Sequence, residues 1–281
     1  MTLHLPSWDE FASLPDDRMP LLEGALLIAQ DEYPKLDPDE SAQSLARLAR
    51  RAARRFPTSG ALEERVMALS RFLFDECGFR GNQTDYYDPR NSYLNDVLQR
   101  RLGIPVSLAL IQIEVARQLQ LPLQGVSFPG HYLLRFPVEG GLLVLDPYQL
   151  GRSLDIDELR LRARPHFGSS ELDDRQLFEI LQPSDTRSTL MRMLRNLKAV
   201  YADRDDVERA LRCSDRLLKL GPSVATEWRD RGLMYLQVGH AKAASTDLAH
   251  YLWLQPDAED AAEIHAAQAG AEYSAGQRHL N

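Results

Sequence analysis

The stretch Gly103-Ile104-Pro105-Val106-Ser107-Leu108-Ala109-Leu110 opens the segment that decides the fold. Between Ser107 and Gln120 the apolar residues outnumber the polar ones and occupy most faces of the predicted helix, and such a helix belongs in the centre of a domain. After this helix the pattern changes to short β-type runs bounded by Gly and Pro, at 123–128, 131–137 and 142–145. The sequence therefore predicts a central helix that leads into a small antiparallel sheet.

Helical spacing also dominates the chain before the central helix. Apolar residues recur every three or four positions between Leu21 and Cys77, and the run Pro57 to Gly60 marks a break between two helices. The segment 82–90 has no period and is rich in turn formers, and a short helix is expected at 93–101. We therefore expect a helical N-terminal third, a loop and a short helix before Gly103.

The last third of the chain contains an internal repeat. Three pairs of identical residues are each separated by 34 positions: Tyr201 and Tyr235, Ala210 and Ala244, Pro222 and Pro256. The second copy has the residues of a tetratricopeptide repeat in order: Trp228, Gly232, Tyr235, Gly239, Ala244, Leu248 and Pro256. Such repeats are helical hairpins that bury a face against their neighbour, and the segment 261–273 is expected to supply a capping helix.

These patterns predict an α+β protein with two domains. Residues 1–183 are expected to form a helix-rich domain with a small antiparallel sheet, and residues 184–281 an all-α, repeat-like domain. The repeats act either as a stabilising addition to the first domain or as a concave surface that binds peptides.

Composition excludes several classes of protein. A net charge of −8, with arginines scattered along helices, lacks the footprint of a nucleic-acid binder. We expect no membrane span and no signal peptide, and hence a cytoplasmic protein. The two cysteines, Cys77 and Cys213, are far apart, and the seven histidines show no ligand spacing, so neither a metal nor a cofactor is expected.

Three residues could carry chemistry. Ser107 stands where a helix begins, His131 where an apolar strand begins, and Asp146 where the next strand ends, which is the order of a nucleophile, a base and an orienting carboxylate. Each also has a purely structural interpretation. Ser107 is a good helix N-cap, His131 could be a hydrogen-bonded core histidine, and Asp146 before a proline is a common turn opener.

The loop before the central helix is rich in aromatic and amide side chains. We expect these residues either to line a cleft or to pack the loop itself, with the tyrosine hydroxyls bonded to backbone groups. They are Asn82, Tyr86, Tyr87, Asp88 and Asn91.

Four motifs resemble the bacterial SirB family, which joins a transglutaminase-like domain to tetratricopeptide repeats. They lie at 78–82, 86–95, 101–108 and 129–133, and the resemblance extends from about Leu22 to Pro256. It implies a papain-like domain that acts on acyl groups of peptides, with a Cys at the start of a central helix, a His on the following strand and an Asp on the next.

The resemblance places Ser107 at or within a residue or two of the nucleophile, and His131 and Asp146 at the base and its orienting carboxylate. No cysteine lies near that helix, because Cys77 closes an earlier helix. A serine hydroxyl is far less acidic than a thiol, so a His-Asp pair suited to a thiolate need not activate it.

The leading hypothesis is therefore a non-catalytic or barely catalytic scaffold that binds a protein or peptide partner through its repeats and cleft in a regulatory role. The alternative is a serine-type acyl hydrolase or transferase that uses Ser107, His131 and Asp146. A third hypothesis is a peptide-binding cleft without turnover. The sequence defines neither the partner nor the oligomeric state.

Overall fold

The chain divides into two compact units, Met1–Met193 and Leu194–Asn281. The computed structural model describes residues 3–56, 61–167 and 172–278, so the predicted helix break at Pro57 to Gly60 lies outside the described residues. The predicted α+β class is confirmed. The division between the units falls inside the helix Thr186–Asp203, downstream of the position predicted from the sequence.

Helices form most of the first unit. The longest before the central helix is capped by Asp37, whose carboxylate accepts the Asp39 N–H, and it buries Leu45 and Leu48 on its inner face. The helices are α1 (Trp8–Ala12), α2 (Leu21–Glu32), α3 (Pro38–Ala53), α4 (Leu62–Arg71), α5 (Leu94–Arg100), α6 (Pro105–Gln118), α7 (Ile156–Ala163), α8 (Asp174–Ile180) and α9 (Thr186–Asp203), the last of which continues into the second unit.

The predicted central helix is α6, which contacts α2, α3, α4 and α5 on one side and the sheet on the other. It begins at Pro105, two residues earlier than predicted, because proline is favoured at the first helical position, where no N–H is needed. Ser107 is therefore inside the first turn and is not the N-cap. Its hydroxyl accepts the N–H of Ile104, the residue that precedes the helix, at 3.1 Å.

The sheets of the first unit are small. A four-stranded antiparallel sheet has the order β3-β4-β5-β6, and a separate pair, β1 and β2, is parallel. Gly140, with φ of 80°, forms the turn between β4 and β5. The strands are β1 (Arg80–Gly81), β2 (Leu102–Gly103), β3 (Gln124–Val126), β4 (Leu133–Val138), β5 (Gly141–Asp146) and β6 (Arg152–Leu154).

Both faces of the four-stranded sheet are covered. Leu133 and Leu134 are fully buried although neighbours in a strand point to opposite faces. Helix α6 contacts β3 and β4, and one face packs against apolar residues of α7 and α8 such as Leu159 and Leu177. This double cover holds the ends of β4 and β5, where His131 and Asp146 lie, in fixed positions.

The second unit contains helical hairpins, as the repeat predicts. Its helices after α9 are α10 (Val207–Leu220), α11 (Ala225–Gln237), α12 (Ala241–Leu254) and α13 (Ala261–Arg278). The predicted capping helix corresponds to α13. Within the hairpin of α11 and α12, Gly232 lies against the side chain of Leu248, which is fully buried. Across the described ranges of both units, no helix is long and apolar enough to cross a membrane.

We predict that the same substitution at two helical glycines of this unit changes stability in opposite directions. Gly270→Ala should raise the free energy of unfolding by about 0.5–1 kcal/mol, because a Cβ there meets open space and alanine favours helix. Gly232→Ala should lower it by about 1–3 kcal/mol, because its Cβ would lie 2.7 Å from Leu248 Cδ2. Urea denaturation followed by circular dichroism measures both, and equal effects at the two positions would contradict the packing described here.

Candidate functional site

The site is organised by Asp146 at the end of β5, whose side chain is completely buried. The next residue is Pro147, and the chain turns there so that the carboxylate accepts backbone N–H groups in the manner of an N-cap. Oδ1 accepts from the N–H of Tyr148 at 2.9 Å and of Gln149 at 3.2 Å, and it lies 2.9 Å from Nε2 of His131. The predicted pairing of His131 with Asp146 is thus present in the fold as a hydrogen bond.

The second oxygen of Asp146 has a partner that the sequence did not suggest. Oδ2 accepts from Nη1 of Arg162 on α7 at 2.7 Å. Arg162 also bonds Glu158 through Nη2 at 2.6 Å, and Arg152 on β6 pairs with the same Glu158. A chain of alternating charges therefore extends from His131 through Asp146 to the surface of the unit.

This environment determines the charge of Asp146. Burial alone would raise the pKa of the Asp146 carboxyl, but the hydrogen bond and charge of His131 and the contacts from Arg162 lower the pKa below its ordinary value. Asp146 is thus held as a carboxylate. Arg162 is therefore a permanently charged partner of this carboxylate.

His131 is placed by the turn before β4. Gly130 has a φ of 68°, and a Cβ there would lie 2.6 Å from Nε2 of His166, so glycine is favoured at this position. The His131 side chain is 22% exposed and stands edge-to-face with Tyr148 at 6.2 Å between ring centroids. Nε2 faces Asp146, and within the described part of the chain Nδ1 has no hydrogen-bond partner. His131 therefore keeps one ring nitrogen available at the surface.

The hydroxyl of Ser107 is committed to the backbone. Ser107 is 1% exposed, and Oγ lies 2.6 Å from the carbonyl oxygen of Asn91, to which it donates, while it accepts from Ile104 N. No hydrogen bond joins Ser107 to His131 among the described residues. The structure thus joins two of the three predicted catalytic residues by a hydrogen bond, and the catalytic roles themselves stay predictions.

Three of the loop residues form a buried polar network. The Asn91 carboxamide donates to the carbonyls of Asp85 at 2.8 Å and Tyr86 at 3.1 Å, and it accepts from Asn82 Nδ2 at 3.0 Å. Asn91 is fully buried, and Asn82 and Asp88 are each 5% exposed. Asp88 pairs with both arginines that flank it in space, Arg90 and Arg100. The network fixes the backbone of the loop.

The two tyrosines of this loop are exposed. Tyr86 is 41% and Tyr87 63% exposed, and their rings stand edge-to-face at 5.3 Å. Tyr86 also stands edge-to-face with Tyr148 at 5.9 Å, and Tyr148 contacts His131 in the same way. We call these four residues the aromatic row. Tyr148 also lines a cavity of about 640 Å³, together with residues that include Gly81, Asn82 and Leu150.

Neither cysteine has the properties of an activated nucleophile. Burial raises the pKa of the Cys77 thiol, so it stays protonated at neutral pH, and Cys213 is buried in the second unit. The described residues also contain no group of three or more His, Cys, Asp or Glu that could hold a metal ion. Arg162, Tyr148 and His166 were not predicted from the sequence, since none stands in a motif that distinguishes it from a surface residue.

Comparisons with known proteins agree with this architecture. A family model described as the transglutaminase-like superfamily matches residues 39–195, and a tetratricopeptide-repeat model matches residues 197–269. A UPF0162 protein of Xylella fastidiosa strain Temecula1 is 52% identical over 90% of each chain. A UPF0162 protein of Pseudomonas aeruginosa is 35% identical over 84% of this chain and 85% of its own. Protein SirB1 of Salmonella typhimurium is 29% identical over 85% and 87% respectively.

The fold and these matches define a transglutaminase-like domain followed by tetratricopeptide repeats. The family resemblance predicted from the sequence is confirmed. The chain belongs to the SirB (UPF0162) family of transglutaminase-like proteins.

We predict that removal of Arg162 destabilises the protein in a pH-dependent way. Arg162→Met should lower the free energy of unfolding at pH 7 by on the order of 3 kcal/mol, because it leaves a buried carboxylate without its guanidinium partner. The lowered pKa of Asp146 stabilises the folded state above the ordinary aspartate pKa of about 4. That contribution is lost as the pH falls through the folded-state pKa, so the difference between wild type and variant should shrink below about pH 4.

Urea denaturation between pH 3 and 7 measures this difference. The matched control is Arg160→Met on the same helix, whose partners Asp157 and Asp174 are exposed, and it should cost less than about 1 kcal/mol. A difference between wild type and Arg162→Met that is independent of pH would contradict the assignment.

Proposed function

We propose that the protein is a non-catalytic or barely catalytic scaffold that binds a protein partner in a regulatory role. The observation that carries this proposal is the state of Ser107, whose hydroxyl is buried and bonded to the carbonyl of Asn91 and the N–H of Ile104. A nucleophile must reach both its base and its substrate. Ser107 would have to exchange a strong backbone hydrogen bond for His131 before it could attack.

The aromatic row supports a binding role for the cleft. Tyrosine is enriched at binding hot spots because its ring supplies a large contact area at a small entropic cost. The loop that presents Tyr86 and Tyr87 is fixed from below by Asn91, so its backbone loses little further freedom when a partner binds. Exposed, pre-organised aromatic side chains lie beside a His131–Asp146 pair that has no hydrogen bond to Ser107. This combination favours recognition over turnover.

The repeat unit supports a protein partner. Tetratricopeptide repeats generally mediate protein–protein interactions, and this unit exposes apolar side chains such as Leu233 and Trp253. We propose that the partner is a protein or peptide bound through the repeats and the cleft, in the cytoplasm. The proposal includes no nucleic acid, no membrane, no metal and no cofactor.

The alternative is a serine-type acyl hydrolase or transferase in which Ser107 attacks, His131 acts as general base and Asp146 orients the imidazole. The observation that favours it is the intact His131–Asp146 hydrogen bond at 2.9 Å, with Nδ1 of His131 available. The third candidate function is a cleft that binds peptides without turnover. It would use the same aromatic row as the scaffold does.

We predict that the native protein is not labelled by a fluorophosphonate probe. The buried Ser107 hydroxyl cannot attack the phosphorus without first breaking its bond to Asn91. In-gel fluorescence of wild type, Ser107→Ala and His131→Ala measures the reaction, with a known serine hydrolase as the positive control. If the wild type is labelled and the labelling disappears in both variants, the scaffold proposal is wrong and the hydrolase proposal is supported.

We also predict that the aromatic row contributes to partner capture. With the full chain as bait, Tyr86→Ala/Tyr87→Ala should reduce recovery of a specific partner about tenfold or more, since buried aromatic anchors cost about 2 kcal/mol or more each when truncated. The matched control is Leu161→Ala/Phe178→Ala, which removes two equally exposed apolar side chains of the same unit. Recovery of no partner by the wild type, or equal loss in both variants, would count against the proposal.

A further inference from the structure

The exposed face of α3 carries a concentration of positive charge in an acidic protein. Arg47, Arg50, Arg51 and Arg54 are exposed, and Arg55 follows in the turn after the helix. No acidic residue occurs between Glu40 and Glu63, although the whole chain has a net charge of −8. We call these five arginines the arginine patch.

The spacing places the first four charges on one side of the helix. Positions 47, 50, 51 and 54 are related by three, four and seven residues, opposite the buried Leu45, Leu48 and Ala52. Like charges three or four residues apart destabilise a helix. Of these five arginines, only Arg55 forms an ion pair within the described part of the chain, with Glu76 at 3.4 Å. The other four arginines of the patch therefore repel one another, and no ion pair offsets that repulsion within the described residues.

A further arginine enlarges the patch from a different element. Arg101 follows α5 with φ of 63°, and its guanidinium stacks on Phe79 at 4.4 Å, while Arg51 stacks on Phe72 at 5.4 Å. Nη1 of Arg101 is buried without a hydrogen-bond partner. Burial and the nearby charge of Arg51 lower the pKa of the Arg101 guanidinium from its ordinary value. The contacts with Phe72 and Phe79 therefore hold the guanidinium groups of Arg51 and Arg101 near each other, where their charges repel.

The helix dipole accounts for part of this arrangement but not for all of it. Cations in the last turn of a helix are stabilised by the partial negative charge there, which suits Arg50 and Arg51. That effect fades within one turn, so it does not explain Arg47. It also does not explain why the one carboxylate that pairs with the patch, Glu76, contacts only its edge at Arg55.

We propose that the arginine patch together with Arg101 is a docking site for an acidic segment of a protein partner. This inference rests on the proposed scaffold function and names the chemistry of its partner. Positions 47 to 54 span roughly 10 Å along the helix, which corresponds to about three residues of an extended chain. Carboxylates spaced along such a segment can each pair with a guanidinium, often in bidentate geometry.

An acidic protein segment fits this surface better than a nucleic acid does. A long polyanion such as a nucleic acid extends past the arginine patch and interacts with the rest of the protein surface. The net charge of −8 on the protein repels those parts of the polyanion. A short peptide contacts the patch alone, where the positive charges are local and the Debye length of about 8 Å at physiological salt screens the rest.

The test measures binding of a fluorescein-labelled octaglutamate peptide to the full chain by fluorescence anisotropy. The variant Arg47→Gln/Arg50→Gln/Arg54→Gln should weaken binding by about tenfold or more, and rising salt should weaken binding to the wild type. The matched control, Arg18→Gln/Arg164→Gln/Arg175→Gln, removes the same charge from exposed arginines elsewhere and should change binding less than about twofold. Circular dichroism verifies that both variants are folded.

Three results would overturn the inference: no binding of octaglutamate to the wild type, equal loss in the patch and control variants, or binding of an eight-nucleotide single-stranded DNA or of anionic vesicles at least as tight as that of the peptide. Tyr86→Ala/Tyr87→Ala should leave octaglutamate binding unchanged. Failure of the scaffold proposal and failure of the patch proposal are therefore separate outcomes.

Discussion

The contacts of Asn91 join the loop 82–91 to the central helix. Its carboxamide satisfies two loop carbonyls and Asn82, and its own carbonyl accepts the hydroxyl of Ser107 on α6. The side chains of Asn82, Asn91 and Ser107 are buried, and a buried polar group costs roughly 1–3 kcal/mol if it loses its partner. These hydrogen bonds tie the loop that carries Tyr86 and Tyr87 to the first turn of α6. Ser107 supplies the contact from the helix, because its hydroxyl donates to the carbonyl of Asn91.

Structural contacts alone account for the position of the His131–Asp146 pair. Asp146 caps the turn after β5 through two N–H groups and pairs with Arg162, so it holds together β5, the following turn and α7. Replacing Asp146 would remove the carboxylate that accepts the N–H groups of Tyr148 and Gln149, and it would leave Arg162 paired with Glu158 alone. The residue would thus be retained for stability even if His131 never accepted a proton, which means that the pair alone is weak support for catalysis.

Sequence patterns were informative where many residues share a period. The apolar run of α6, the antiparallel strands that follow it and the 34-residue repeat all predicted elements that the structure contains. Strands β1, β2 and β6 were missed because two or three residues cannot establish an alternation. The start of α6 was placed two residues late, since a serine signals an N-cap more strongly than a proline signals the first turn.

The site was less predictable, for a physical reason. Sequence order could bring Ser107, His131 and Asp146 onto neighbouring elements, but whether a hydroxyl faces a cleft depends on a shift of one residue along a helix. A residue at the third helical position can turn its side chain back to the N–H before the helix, and here that geometry places Oγ against Ile104 and Asn91. Arg162 comes from α7, after the last strand, and no spacing rule connects it to Asp146.

Rigidity links these observations to function. Asn82, Asp88 and Asn91 are buried and engaged in hydrogen bonds or ion pairs, which holds the loop rigid. A binding surface requires such rigidity, because each side chain ordered in advance reduces the entropy lost on association. The polar network beneath Tyr86 and Tyr87 therefore meets a requirement of the proposed binding surface. On this argument the structural commitment of Ser107 is part of how the binding surface is held in shape.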